Sequence, residues 1–94
     1  MPVTVKFIGA LRHITGKTQL RIECKSDGTL KDLILQINRE MPKLNGSLLD
    51  QQNGESKSNA LILVNGREIS VLDGLETELK DGDEVVFIPV VHGG

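Results

Sequence analysis

The residues best suited to chemistry are the last two of the chain, Gly93 and Gly94, which follow Val90, Val91 and His92. A segment of five residues reaches at most about 17 Å when it is extended. Because glycine has no side chain, a Gly-Gly end can thread a channel that is too narrow for other residues and place the terminal carboxylate against a nucleotide. Chain ends of small residues are also often without function. Two interpretations therefore stay open, a reactive carboxylate and an incidental terminus.

The other side chains form no recognisable catalytic or metal-binding set. The sequence has no Ser-His-Asp set, no His-Glu-x-x-His helix and no glycine-rich phosphate loop before a helix. Its single cysteine, Cys24, excludes an internal disulfide and a cysteine-cluster zinc site. Asp81, Asp83 and Glu84 are three acids in a tight turn, which we interpret as solvated rather than as metal ligands.

Length and composition exclude several classes of protein. The 94 residues suffice for one domain with a modest core. The 11 Lys and Arg are outnumbered by 13 Asp and Glu, and Phe7 and Phe87 are the only aromatic residues, so we expect no direct binding of nucleic acid. The longest apolar run, Ala60–Val64, is far shorter than the roughly 20 residues of a membrane span. With no recognisable signal peptide, we expect a cytoplasmic protein that does not bind membranes.

The first half of the chain predicts two strands and a helix. Val3, Val5 and Phe7 alternate with Thr4, Lys6 and Ile8. The alternation resumes at Leu20, Ile22 and Cys24, which indicates an antiparallel hairpin across a turn region that contains Gly9 and Gly16. Cys24 lies on the same inward-facing side of its strand as Leu20 and Ile22, so we interpret it as a packed core thiol rather than a reactive one.

The helix is predicted between Thr29 and Glu40. Thr29 is a suitable N-cap, Asp32 follows in the first turn, and Pro42 cannot continue the helix. One apolar stripe has helical spacing: Leu30, Leu33, Ile34, Ile37 and Met41. The helix is short and amphipathic, so it must lie on a sheet.

The second half predicts three further strands. Lys43 to Asn59 contains Leu44, Leu48 and Leu49 in a possible turn of helix, and then a loop from Gln51 to Asn59. Ala60–Val64 is predicted as an apolar strand, Asn65-Gly66 as a hairpin turn and Arg67–Val71 as the return strand. The last strand is predicted over Glu84–Pro89.

This order of elements predicts an α+β fold with one main helix on one face of a mixed sheet. The first and last strands lack a clean polar face, so we place them at the centre of the sheet. That arrangement is the β-grasp, or ubiquitin-like, fold. We assign residues 1–89 to this domain and residues 90–94 to a flexible Gly-Gly tail.

Two segments resemble the MoaD/ThiS sulfur-carrier superfamily. The first is the Asp81-Gly82-Asp83-Glu84-Val85 turn into the last strand, with a Gly-Gly end at the matching distance. The second is Phe7-Ile8-Gly9-Ala10-Leu11-Arg12 followed by Gly16, which is similar to the first strand of the molybdopterin synthase small subunit. The resemblance covers most of the chain and is weakest between Lys43 and Asn59. It implies the β-grasp fold and a carrier function.

The tail departs from the MoaD pattern at two positions. MoaD-type tails usually carry a second proline where Val90 stands and Thr or Ser where His92 stands. His92-Gly93-Gly94 and Leu72–Leu75 are closer to the ubiquitin-related modifier of tRNA thiolation, and the tail also resembles the small archaeal modifier proteins. The expected function is the small subunit of molybdopterin synthase in molybdenum cofactor biosynthesis. The alternatives are a sulfur donor for tRNA thiolation, a modifier of lysines, and a plain β-grasp interaction module.

The resemblance also implies a reaction at Gly94. An E1-like enzyme would adenylate the Gly94 carboxylate with ATP, and a persulfide sulfur would then attack the mixed anhydride to give a thiocarboxylate. All catalytic side chains would belong to the partner. The chain itself is then expected to be a carrier and substrate, without a bound cofactor or metal, and not an enzyme. Its expected partners are the E1-like enzyme and either the molybdopterin synthase large subunit or another sulfur acceptor.

A partner that accepts the tail requires a docking surface beside it. Because side chains alternate between the two faces of a strand, Val85 and Phe87 are assigned to the core, and Val86, Ile88 and Ile8 to the opposite face. These three form an apolar patch of the kind that marks partner sites. In MoaD-like proteins, which this chain resembles, the positions that match Ile8 and Ile88 are apolar contacts, and a third apolar contact position corresponds to Glu68. Val90, Val91 and His92 are expected to contact the partner. Arg12 is open to two interpretations, a partner contact or a hydrogen bond to the first loop, and His13 is interpreted as a solvated loop residue.

Overall fold

A computed structural model of the chain describes residues 1–44, 46–52 and 55–90. It contains two α-helices and seven strands over these ranges. The helices are α1 (Ala10–Thr15) and α2 (Leu30–Glu40). The strands are β1 (Pro2–Phe7), β2 (Gln19–Glu23), β3 (Leu49–Gln52), β4 (Glu55–Ser58), β5 (Ala60–Val64), β6 (Arg67–Glu68) and β7 (Glu84–Pro89). None of the helices in these ranges is both long and apolar enough to cross a membrane.

Five strands form one mixed sheet in the order β2-β1-β7-β5-β6. β1 pairs with β7 in parallel, while β1–β2, β5–β7 and β5–β6 are antiparallel pairs. β7 occupies the central position with β1 beside it, which confirms the predicted placement of the first and last strands. With α2 packed on one face, this is the predicted β-grasp arrangement.

The core lies between α2 and one face of the sheet. Its centre is the pair Phe7 and Phe87, whose ring centroids are 6.1 Å apart on neighbouring strands. The predicted helical stripe is buried from Leu30 to Ile37, whereas Met41 is half-buried at the end of α2. The other buried residues of the five-stranded sheet alternate along their strands: Val3, Val5, Ile22, Ala60, Ile62, Val64 and Val85. The residues between them in the sequence lie on the second face of the sheet and are partly or fully exposed in the described parts of the chain.

The N-terminus of α2 is fixed by a reciprocal capping box. The Asp32 amide donates to the Thr29 hydroxyl oxygen at 3.3 Å, and the Thr29 amide donates to an Asp32 carboxylate oxygen at 3.0 Å. These two bonds satisfy donors that the first helical turn cannot pair internally. The predicted N-cap and the predicted end near Glu40 are both confirmed.

The β5–β6 turn is tied to the start of β7. Asn65 and Gly66 adopt positive φ angles of 52° and 84°, as the predicted hairpin turn requires. The Asn65 side chain donates to an Asp83 carboxylate oxygen at 2.8 Å and accepts the Glu84 amide at 2.9 Å. The side-chain amide therefore holds two turns together at one end of the central strands.

Three segments differ from the sequence-based predictions. The predicted turn region between Gly9 and Gly16 contains the short helix α1, which buries Leu11. The predicted return strand stops at Glu68, because the Glu68 carboxylate accepts the Ser70 amide and starts a 3₁₀ turn over Ile69–Val71.

The third difference is the segment predicted as a loop between Gln51 and Asn59. It contributes most of an antiparallel hairpin, β3–β4. Its strand residues are mostly polar, so they lack the alternation by which strands are recognised. Leu44 and Leu48 before the hairpin are buried in the core, and so is Leu49, the first residue of β3. A 3₁₀ turn over Pro42–Leu44 provides the expected helical turn.

Candidate functional site

The site is built around the carboxyl end of β7, where the chain leaves the sheet. Pro89 pairs with Ala60 as the last residue of the strand, and Val90 beyond it is 47% exposed. Val91, His92, Gly93 and Gly94 lie outside the described residues. Their assigned roles therefore stay predictions, and so does the boundary between a domain of residues 1–89 and a tail of residues 90–94.

An apolar patch covers the open face of the sheet next to this end of β7. Ile8 is 41% exposed, and Val86 and Ile88 are half-buried, which places all three on the face opposite α2 as parity predicts. Ile8 lies level with the end of β7, because its amide donates to the Phe87 carbonyl at 3.1 Å.

Two further residues of the patch are missing from the sequence-based prediction. Leu61 lies directly opposite Ile88 in the β5–β7 register, and Leu63 lies opposite Val86. Directly opposed residues share one face of a sheet and contact each other, so both leucines belong to it. The uninterrupted apolar run of β5 could have revealed them, because a strand that is apolar at every position has two apolar faces. We call Ile8, Leu61, Leu63, Val86 and Ile88 the open-face patch.

Charged groups border the open-face patch. The Lys6 ammonium pairs with the Glu84 carboxylate at 3.0 Å, and both side chains are partly exposed. Glu68 lies opposite Leu63 in the β5–β6 register, at the far edge of the patch. Hydrogen bonds from Ser70 hold the pKa of the Glu68 carboxyl below its ordinary value, so this residue stays anionic. The patch therefore has an apolar centre and a charged margin, which is the composition of a protein-binding surface.

The other candidate residues lie on α1, in the turn before β7 and directly after β2. Arg12 and His13 are exposed on α1. The Asp83 carboxylate accepts hydrogen bonds from Asn65 and from the Lys80 amide, so it stabilises its own turn. Cys24 is half-buried on the helix side of the sheet, and burial raises the pKa of its thiol.

The geometry places the open-face patch next to the point where the chain leaves the sheet. Ile8, Leu61 and Ile88 all lie level with the end of β7, from which the chain continues toward Gly94. A partner that covers these residues also meets the segment that follows Pro89. The arrangement suits a protein that is held by its folded domain while a partner acts on its C-terminal residues.

The chain is similar to several known proteins along nearly its whole length. A small archaeal modifier protein 3 from Haloferax volcanii is 34% identical to the chain, over the whole length of both. A ubiquitin-related modifier 1 from Schizosaccharomyces pombe is also 34% identical over the full length of both chains. A putative molybdopterin converting factor, subunit 1, from Pyrococcus furiosus has a solved structure that superimposes with a TM-score of 0.77 at 30% identity, covering 96% of this chain and 98% of that one.

The family comparison includes the predicted tail as well as the domain. The model of the ThiS family matches residues 5–94, which is nearly the whole chain. The relatives that match over their full length are named as small modifiers. The chain therefore belongs to the ThiS family, and it is a ubiquitin-like protein of the sulfur carriers and small protein modifiers.

Proposed function

We propose that this protein is a carrier and substrate rather than an enzyme, and that the Gly94 carboxylate is its reactive group. An E1-like enzyme adenylates this carboxylate with ATP, and a sulfur donor then converts it to a thiocarboxylate. The observation that carries the proposal is the position of the open-face patch beside the point where the chain leaves β7 toward Gly93 and Gly94. Membership of the ThiS family supports it.

The reaction needs activation because a carboxylate is an anion with oxide as its leaving group. Attack of a carboxylate oxygen on the α-phosphorus of ATP forms the acyl adenylate and releases pyrophosphate. The terminal sulfur of a persulfide then attacks the acyl carbon, and AMP leaves with the electrons of the broken bond. A thiol finally reduces the acyl disulfide, which releases the thiocarboxylate and leaves a disulfide on the donor.

We favour the acceptors of a small modifier. The first is a tRNA, which receives the sulfur through a sulfur-transfer enzyme, and the second is a lysine of a protein. Full-length similarity to two proteins named as modifiers supports this choice over the molybdopterin synthase small subunit. Similarity to the putative molybdopterin converting factor supports the small subunit of molybdopterin synthase as the second candidate. The apolar patch suits either partner.

The test of the proposed reaction is the intact mass of the protein after incubation with its E1-like enzyme, ATP and a persulfide donor. We expect an increase equal to the exchange of one oxygen atom for sulfur, and no increase without ATP. A variant with one alanine added after Gly94 keeps the folded domain and serves as the control, and it should stay unmodified. An unchanged mass of the unextended protein would overturn the proposal.

The acceptor is identified by a second experiment on the thiocarboxylate form. Isopeptide-linked lysines or thiolated tRNA, formed in a cell extract from the same source, would support the modifier function. Conversion of a molybdopterin precursor in the presence of the molybdopterin synthase large subunit would instead establish the second candidate and overturn the first.

A further inference from the structure

We propose that the free edge of β2 is a second binding site, which takes an extended acidic segment of a partner protein. The segment adds to the five-stranded sheet as a further strand beside β2. This inference goes beyond the proposed function and does not depend on it. The open-face patch lies on β5, on β7 and directly after β1, so both sites can be occupied at once.

β2 lies at one edge of the sheet, and β1 is its only neighbour among the described strands. Alternate residues of an antiparallel strand direct their amide and carbonyl groups toward the partner strand, and the residues between them direct theirs away from it. The Phe7 amide donates to the Thr18 carbonyl at 2.9 Å, and the Cys24 amide donates to the Met1 carbonyl at 2.8 Å. The even-numbered residues of β2 therefore face β1.

The odd-numbered residues of β2 direct their main-chain groups to the outside of the sheet. They are Gln19, Arg21 and Glu23, and all three are exposed. Among the described residues, the Glu23 carbonyl has a partner, because it accepts the side-chain amide of Gln36 at 3.0 Å. The remaining amides and carbonyls of these three residues form a free edge. Such an edge pairs with another extended chain, which offers donors and acceptors at the same spacing.

Cations lie along this edge. Arg21 is in the middle of β2, and Lys17 and Lys25 stand one residue beyond the stretch that bonds to β1. None of these three cations forms an ion pair with another described residue, whereas the Glu23 carboxylate lies 3.2 Å from the Met1 amino group. Opposite charges that face each other across two strands stabilise the pair. The edge therefore favours an acidic occupant.

A groove of about 230 Å³ follows the end of β2 and runs along one side of α2. Lys25, Gln36 and Arg39 belong to its lining. The lining contains one acid, Asp32, and a carboxylate oxygen of Asp32 already accepts the Thr29 amide at 3.0 Å. With two cations against this one acid, the groove suits a further carboxylate at the end of an added segment.

A second copy of this chain fits the edge less well than an acidic partner. β2 is centred on Arg21, so two β2 strands that pair antiparallel over their full length place Arg21 opposite Arg21. The same register brings Lys17 of each copy toward Lys25 of the other. Like charges directly opposite each other destabilise a strand pair. A segment with acidic residues at these positions replaces the repulsion with attraction.

The other face of β2 determines the residues between the acids. Leu20 and Ile22 face α2, and Leu20 is only half-buried because it lies at the edge of the core. Side chains of an added strand alternate between the two faces in the same way. Those beside Leu20 and Ile22 are therefore best apolar. The site takes a segment in which acidic and apolar residues alternate.

The probe is a capped hexapeptide that alternates aspartate with valine, titrated into the isotope-labelled full-length protein. We expect the amide signals of Gln19, Arg21 and Glu23 to shift, and the hydrogen exchange of the Arg21 amide to slow at least about tenfold at saturation. A hexapeptide that alternates lysine with valine should bind at least about tenfold more weakly. Equal affinity of the two peptides would overturn the proposed preference for acids.

Methylation of the peptide main chain tests the pairing itself. One peptide carries methyl groups on the aspartate amides and another on the valine amides, and both keep the charge of the probe. Only alternate amides of an added strand face β2, so one pattern should abolish binding and the other should not. Equal effects of the two patterns would show that charge alone holds the peptide and would overturn the inference.

Matched variants test the location of the site. Arg21→Glu should weaken binding of the acidic peptide about fivefold. Arg67 is an exposed cation on β6, at the opposite edge of the sheet, so Arg67→Glu changes the net charge equally and should leave the affinity within about twofold. Circular dichroism verifies that both variants are folded. Equal losses in the two variants, or dimers of the protein alone that Arg21→Glu alters in sedimentation, would overturn the inference.

Discussion

The Cys24 thiol lies half-buried at the end of β2, where its sulfur is 3.8 Å from the Ile22 carbonyl oxygen. Burial is the main cause that raises its pKa above the ordinary value of 9.0, and the nearby N-terminal ammonium only partly offsets it. The neutral thiol is therefore favoured, which agrees with the interpretation of Cys24 as a packed rather than a reactive cysteine.

We predict that iodoacetamide alkylates Cys24 at neutral pH at least about tenfold more slowly in the folded protein than in the urea-unfolded chain, because the thiolate is the nucleophile. The measurement is the rate of mass increase at a series of pH values. Equal rates in the folded and unfolded chains would contradict the assignment.

The raised pKa of the Cys24 thiol also makes the free energy of unfolding depend on pH. The folded state binds the thiol proton more tightly than the unfolded state, so its contribution is complete below the pKa of the unfolded thiol and is lost as the pH rises through the folded-state pKa. The free energy of unfolding should therefore fall above about pH 9 more steeply than in the control variant Cys24→Ser.

At the scale of single elements, α2 shows how a short helix is fixed at its first turn. The capping box of Thr29 and Asp32 pairs two amides that the helix cannot pair itself. The Leu30 amide also donates to the Thr77 carbonyl at 2.8 Å, which ties the same turn to the segment before β7. The helix start is thus held both locally and by the fold.

We predict that Thr29→Ala lowers the free energy of unfolding by about 1 kcal/mol, the usual loss for an N-cap hydroxyl. Urea denaturation followed by circular dichroism measures it. Ser26→Ala, at an exposed position in the same loop, is the control and should change the stability by less than about 0.5 kcal/mol. A loss of equal size in both variants would show that the cap adds nothing.

At the scale of the whole molecule, the sheet separates a face that holds the fold from a face that is free to bind. α2 covers one face, and the open-face patch occupies the other. Each side of the molecule exposes a comparable leucine: Leu61 on the sheet is 38% exposed, and Leu35 on α2 is 39% exposed. This pair allows the docking face to be tested with matched variants.

We predict that Leu61→Asp weakens binding of the E1-like enzyme at least about tenfold, since a central apolar contact contributes more than about 1.4 kcal/mol. Leu35→Asp should leave the affinity within about twofold. Ile88→Asp should act like Leu61→Asp. Calorimetric titration measures all three. An affinity that is unchanged by Leu61→Asp and Ile88→Asp, with the fold intact, would remove the docking role of the open-face patch.

The sequence predicts an element correctly where its residues show a clear alternation or a helix cap. It does not reveal an element whose residues show neither pattern. The alternation of Val3, Val5 and Phe7 and the cap at Thr29 each predict an element that the structure confirms. Helix α1 has only six residues, which is too few for a clear period. The β3–β4 hairpin was missed although Asn53-Gly54, a common turn dipeptide, stands between its strands in the sequence, because the flanking residues are polar.

The sequence likewise predicts only part of the candidate site. Parity placed Ile8, Val86 and Ile88 on one face, but it could not add Leu61 and Leu63, because only the strand order brings β5 beside β7.

The sequence by itself determined the strands and main helix, the buried face of each, and a terminal Gly-Gly, since side-chain period, caps and turn residues act over a few neighbouring positions. Only the tertiary structure decided which strands lie side by side and which apolar residues share the open face. Those relations depend on strand order and register, which bring distant parts of the chain within contact distance after the core has formed.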